Sequence, residues 1–102
     1  MVYMNSEAWD IINLKGANRV VVTKALPGRR WRDILIAADC RIEVGTTDRA
    51  LATEEILTVI GNHCDGAIGQ ITERWDETLF AALRNAGGRA YSNNAVGFDN
   101  VD

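Results

Sequence analysis

The stretch RVVVTKALPGRRWRDILIAADCRIEV, residues Arg19 to Val44, decides the fold. Val20-Val21-Val22 is a run of β-branched residues without a polar break. A strand apolar on both faces is typical of the middle of a parallel sheet. Pro27-Gly28 then interrupts the chain, as turn chemistry does. Trp31, Ile34, Leu35 and Ala38 follow at i, i+3, i+4 and i+7, which is one face of a helix. Arg41-Ile42-Glu43-Val44 alternates polar and apolar. That pattern predicts a strand with one exposed face, or an edge strand.

The same alternation continues downstream. Thr53 is a candidate N-cap, with Glu54 and Glu55 where the helix dipole favours negative charge. Ile56, Leu57 and Ile60 form the apolar face and Gly61 the stop. Gly66-Ala67-Ile68-Gly69 is a third strand of weak propensity. Asp76 can cap a third helix faced by Leu79, Phe80 and Leu83 and ended by Gly87-Gly88. Ala90-Tyr91-Ser92 is a fourth short strand. The order βαβαβαβ predicts an α/β fold with a parallel sheet and right-handed crossovers. In the flavodoxin-like strand order 2-1-3-4-5 the first strand lies inside and the second at the edge, which fits both patterns. The sheet is expected to be incomplete, without a fifth strand. That leaves an unpaired edge on the fourth, the mark of a fragment or an oligomer.

Upstream, residues 1–18 read as an irregular N-terminal extension. Asn13, Gly16 and Asn18 suggest turns, and Trp9, Ile11 and Ile12 form a short apolar clip with no assigned place. Residues 19–102 make up the α/β unit.

Composition narrows the function classes. A chain of 102 residues suits one small domain, and 47% hydrophobic with 25% charged residues is ordinary for a globular one. A net charge of -3 with scattered Lys and Arg argues against nucleic acid. No apolar run approaches the roughly 18 residues of a membrane span. MVYMNSEAWD lacks the features of a secretory signal, so a cytoplasmic location is expected. Cys40 and Cys64 make no disulfide framework, and read as small hydrophobes in a reducing compartment.

Ligands of open α/β sheets bind beyond the carboxyl ends of the strands. Three segments follow those ends: Thr23 to Gly28, Gln70 to Glu73, and Asn93 to Asn100. In the last, Gly97 lets another group approach the backbone, and successive amides can cradle an anion. A carboxylate held by the amides of Val96 and Gly97 is a reasonable picture. A plain turn glycine is the simpler one. Gln70 and Thr72 can hydrogen-bond a small polar ligand or cap the next helix. Lys24, Arg29 and Arg30 suit a solvated helix start. Trp31 and Trp75 suit packing. His63 precedes the third strand, at the end away from the site, and reads as a surface residue. No metal set, phosphate loop or dinucleotide fingerprint is present.

Cys64-Asp65-Gly66-Ala67-Ile68-Gly69-Gln70-Ile71-Thr72-Glu73, with Trp75 and Glu77-Thr78-Leu79-Phe80, resembles the corresponding segment of plant-type hydroxypyruvate reductases (glycerate dehydrogenases). So does Ala86-Gly87-Gly88-Arg89-Ala90-Tyr91-Ser92-Asn93, followed by Ala95-Val96-Gly97-Phe98-Asp99-Asn100-Val101-Asp102. That closing motif is similar to one shared across D-2-hydroxyacid dehydrogenases. The resemblance implies the N-terminal, substrate-binding segment of such an enzyme. It implies that the amides of Val96 and Gly97 bind the substrate carboxylate, with Gln70 lining the same cleft. It also implies a 2-keto or 2-hydroxy acid substrate, NADH or NADPH in the full-length enzyme, and a homodimer there, with a peroxisomal location as the alternative to a cytoplasmic one. The cofactor loop, the catalytic residues and a returning C-terminal segment are expected beyond Asp102. No catalytic or cofactor-binding residue is expected in this chain, which should not be active alone. The alternatives are a stand-alone flavodoxin-like binding module and a structural dimer paired through the fourth strand.

Overall fold

A computed structural model of the chain describes residues 9–47, 49–70 and 73–94. It contains β1 (Trp9–Ile12), β2 (Asn18–Val22), α1 (Arg30–Ala37), β3 (Cys40–Gly45), α2 (Thr53–Ile60), β4 (Gly66–Gln70), α3 (Glu77–Asn85) and β5 (Ala90–Asn94). The five strands form one sheet in the order β1-β3-β2-β4-β5. β2, β3, β4 and β5 run parallel, in the flavodoxin-like order expected. The all-apolar Val20–Val22 run is central, flanked by β3 and β4.

Two expectations are corrected. Residues 9–12 are not irregular: they add an antiparallel strand beside β3, with Trp9 opposite Gly45 and Ile12 opposite Ile42. β3 is therefore not the edge. The connection from β1 to β2 crosses the amino end of β3, where the Asn13 amide donates to the Cys40 carbonyl at 2.9 Å. A Cβ at Gly16 would collide there with the backbone of Cys40 and Arg41, so only glycine lets the chain pass. The polar half of β3 is not exposed either. Glu43 is buried and bonded to Arg19 of β2. Alternation reports which residues share a face, and here the polar set shares a covered one.

The sheet carries helices on both faces. Val21 and Ala67 pack with Ile56 and Ile60 of α2 and Leu79 and Leu83 of α3, over Trp75. Val20, Val22, Ile42 and Val44 face Trp31 and Leu35 of α1. Burying a side chain such as Ile56 or Ile60 stabilises by about 1.5–3 kcal/mol. α2 starts one residue earlier than its sequence suggested. Ala52, not Thr53, is the N-cap, and its N–H is satisfied by the Glu55 carboxylate at 2.9 Å, which reaches back from the third helical position. At the other end Gly61 adopts φ +60, and Arg19 donates to the terminal carbonyls of Val59 and Ile60. For α3, Asp76 is the N-cap as expected, accepting the Thr78 N–H at 3.1 Å.

Candidate functional site

Parallel pairing brings the carboxyl ends of β2, β4 and β5 to one edge. Gln70, the last residue of β4, is in register with Asn94, the last of β5. Thr23, just past β2, is buried, and both its N–H and its hydroxyl donate to the Ile68 carbonyl, at 3.1 and 3.3 Å. Gln70 is buried as well. Its side-chain amide donates to the Lys24 carbonyl at 3.3 Å, tying the end of β4 to the loop after β2. Gln70 does not cap α3, because Asp76 does.

Behind Gln70 stands a residue the sequence did not single out. Glu73 is buried, and its Oε1 accepts the Gln70 backbone N–H at 3.1 Å and the Trp75 indole N–H at 2.9 Å. The Glu73 N–H returns a bond to the Gln70 carbonyl at 3.2 Å. Trp75 is fully buried, with its ring centroid 4.4 Å from that of Tyr91 and 5.6 Å from that of Phe80. Gly69 lies beneath this group: a Cβ there would strike the Tyr91 hydroxyl and the Trp75 indole. The Tyr91 hydroxyl donates to the Asn93 side chain at 3.0 Å. Burial, and secondarily the Glu73 charge, raises the Tyr91 phenol above its ordinary range. A carboxylate beside a turn carries no local sequence signal, so Glu73 was not legible in advance.

The other named residues fall elsewhere. Lys24, Arg29 and Arg30 are exposed. Trp31 packs on the sheet, and its indole N–H donates to the carbonyls of Leu26 and Gly28 at 3.2 and 3.1 Å. Beside it lies a cavity of about 250 Å³ lined by Ile12, Leu26, Trp31, Arg32 and Val44. A cleft of about 430 Å³ lies toward the amino ends of the strands, on the α1 face, between Leu35 and the start of β5. It reaches along β4 and β5 as far as Ile68 and Ser92 but not to the strand ends, which the topology favours as the site. His63 is exposed at the amino end of β4, 3.1 Å from Asp65. Cys40 and Cys64 are buried free thiols. Among the described residues no cluster of His, Cys, Asp or Glu is arranged to hold a metal, and no helix is long and apolar enough to cross a membrane. Val96, Gly97 and Thr72 lie outside the described residues.

Over 94 residues the chain is 54% identical to glycerate dehydrogenase of Cucumis sativus. Over the same length it is 50% identical to the peroxisomal glycerate dehydrogenase HPR of Arabidopsis thaliana. Each match covers 91% of this chain. The chain spans about a quarter of the length of these curated relatives, 25% and 24%. No protein-family model matches the chain, and no solved structure does. The chain is thus homologous to a segment of plant glycerate dehydrogenases.

Proposed function

We propose that this chain forms the substrate-binding part of an NADH- or NADPH-dependent hydroxypyruvate/glyoxylate reductase, a D-glycerate dehydrogenase, and is inactive by itself. The observation that carries this reading is the register of Gln70 against Asn94. Gln70 and Asn94 end their strands at the carboxyl edge, where ligands of open α/β sheets bind, and Val96 and Gly97 follow Asn94 in the sequence by two and three residues. In this reading the amides of Val96 and Gly97 hold the substrate carboxylate and Gln70 lines the cleft beside it. The ligand is a small 2-keto or 2-hydroxy acid.

Among the described residues, the turn where a nicotinamide cofactor's pyrophosphate would be sought does not fit it. The turn from β2 to α1 carries Lys24, Ala25, Leu26 and Pro27, without the spaced glycines a pyrophosphate needs. Its Leu26 and Gly28 carbonyls are engaged by Trp31. No hydride-transfer step is assigned to this chain. The proposal gives NADH or NADPH to a separate domain, in an enzyme that acts as a homodimer.

The test is a hybrid in which this chain replaces the matching quarter of the Cucumis sativus enzyme. The hybrid should oxidise NADH with hydroxypyruvate, and Gly97→Val should raise its KM for hydroxypyruvate by crowding the carboxylate. A hybrid that folds and binds NADH but turns over no hydroxypyruvate would overturn the reading. So would Gly97→Val with unchanged KM and kcat.

A further inference from the structure

We infer that Glu73 is a positioning residue for this site, fixing the end of β4 so that Gln70 meets the substrate. The inference rests on the substrate-binding reading above and adds to it the group that makes the cleft rigid.

Gln70 and Glu73 are bonded in both directions. The Gln70 carbonyl accepts the Glu73 N–H at 3.2 Å, and the Glu73 carboxylate accepts the Gln70 N–H at 3.1 Å. These two bonds tie Gln70, the end of β4, to Glu73. The same carboxylate oxygen accepts the Trp75 indole N–H at 2.9 Å, and Trp75 is wedged between Gly69, Phe80 and Tyr91. Gln70 is thereby linked through Glu73 to Trp75, a fully buried aromatic of the core. From the other side the Gln70 amide holds the Lys24 carbonyl. Gln70 is therefore fixed at its backbone by Glu73 and at its side chain by the loop after β2.

The chemistry explains a carboxylate here. Two N–H groups converge on one oxygen, and a charged acceptor binds each more strongly than a neutral one. Without it, the buried Trp75 indole N–H would lose its acceptor, at a cost of about 1–3 kcal/mol, and the Gln70 backbone would lose the bond that ties it to Glu73. The end of β4 at Gln70 is then held less firmly. A binding group displaced by even about 1 Å loses much of its effect.

The experiment is amide NMR on the 102-residue chain, titrated with D-glycerate. In the unaltered chain the Gln70 amides should shift on titration, and Gln70→Ala should weaken binding. Glu73→Ala should weaken it about tenfold, the equivalent of one good hydrogen bond, while the core amides of Val21 and Ile56 stay in place. Glu73→Gln keeps an acceptor oxygen in the same position and should recover binding to within about twofold. Glu73→Ala that binds as tightly as the unaltered chain, while Gln70→Ala does not, overturns the positioning role and leaves the site reading standing. No response to D-glycerate in the unaltered chain overturns the site reading and this role with it. If Glu73→Ala does not fold, Glu73→Asp decides: its carboxylate is one methylene short, and undiminished binding overturns the inference.

Discussion

Arg19 and Glu43 are joined across β2 and β3 by two short contacts, Nε to Oε2 at 2.8 Å and Nη2 to Oε1 at 2.6 Å. Their side chains are only 21% and 8% exposed. The same guanidinium closes the carboxyl end of α2 through the carbonyls of Val59 and Ile60. Removing one member of a buried pair leaves a charge without its partner, which costs about 3–5 kcal/mol. Arg41, with Nε 2.9 Å from Glu43, softens that loss. Arg19→Met should therefore destabilise by about 3 kcal/mol in chemical denaturation, more than Glu43→Gln. The double substitution Arg19→Met with Glu43→Leu should cost less than the sum of the two single substitutions, because the Arg19–Glu43 interaction is then lost once and not twice, while Arg41 loses its carboxylate in either Glu43 variant. Strictly additive costs would show that the pair is not coupled.

Gly69 tests the aromatic wall of the proposed site. Its missing Cβ is occupied by the Trp75 indole and the Tyr91 hydroxyl. Gly69→Ala forces two packed rings apart, and overpacking of this kind costs about 1–3 kcal/mol. A lowered Tm with a changed near-ultraviolet signal is the expected result. Gly28 has nothing near its Cβ position and a φ of +77. Gly28→Ala should cost only the backbone strain, about 1 kcal/mol, without touching the aromatic signal.

The order of the parallel strands was legible because Val20–Val22 has no polar face and so had to lie inside. β1 was not. Trp9–Ile12 is four residues long with Asp10 inside it, and its place depends on partners at least thirty positions away. Glu43 was misread because period-two alternation gives a face and not its exposure. A carboxylate beneath α2 looks the same in sequence as one in water. Near the proposed site, the place of Gln70 at the carboxyl end of a parallel strand was legible from the strand pattern. Glu73 was not, since nothing local in the sequence says that its carboxylate accepts from both the Gln70 backbone and the packed Trp75 indole.

Two groups give the stability a defined pH dependence. The Glu55 carboxylate is pulled down to about 2, first by its hydrogen bond with Arg49 and then by the Ala52 N–H. Its folded pKa lies below its unfolded one, so its contribution is present above about 4.3 and is lost as pH falls toward the folded value. Glu55→Gln should flatten the acid limb of a stability–pH curve. Tyr91 acts at the other end. Its phenol is raised by burial and by Glu73, so its contribution is complete below about 10 and is lost as pH rises beyond that. Tyr91→Phe should flatten the alkaline limb. Limbs unchanged in both variants would remove these groups from the titration.

The two thiols should differ in reactivity. Burial raises both, helped at Cys40 by the nearby Asp39 charge and opposed at Cys64 by Arg19. The thiolate is the reactive form, so both should be slow at neutral pH. Access then separates them. Cys40 lines the cleft on the α1 face, whereas Cys64 is wholly buried. Titration with a disulfide reagent should give two phases, the faster one abolished by Cys40→Ser. A single phase that survives this substitution would place the accessible thiol at Cys64.

Helix α1 divides an apolar face that the sequence presented as one. Trp31 and Leu35 pack on the sheet, while Ile34 and Ile36 are 57% and 41% exposed and no residue of the helix is fully buried. The helix therefore touches the sheet along a narrow line, fixed at one end by the Trp31 indole bonded to Leu26 and Gly28. Leu35→Ala removes one of the few packed contacts on this face. It should cost about 2 kcal/mol, at the low end for a core leucine because the site is only half-buried. Ile34→Gln removes apolar surface that is already wet and should change stability by no more than about 0.5 kcal/mol. Urea denaturation of the two variants checks the contrast. Equal losses would mean that Ile34 is covered in solution, and that α1 packs against something besides this sheet.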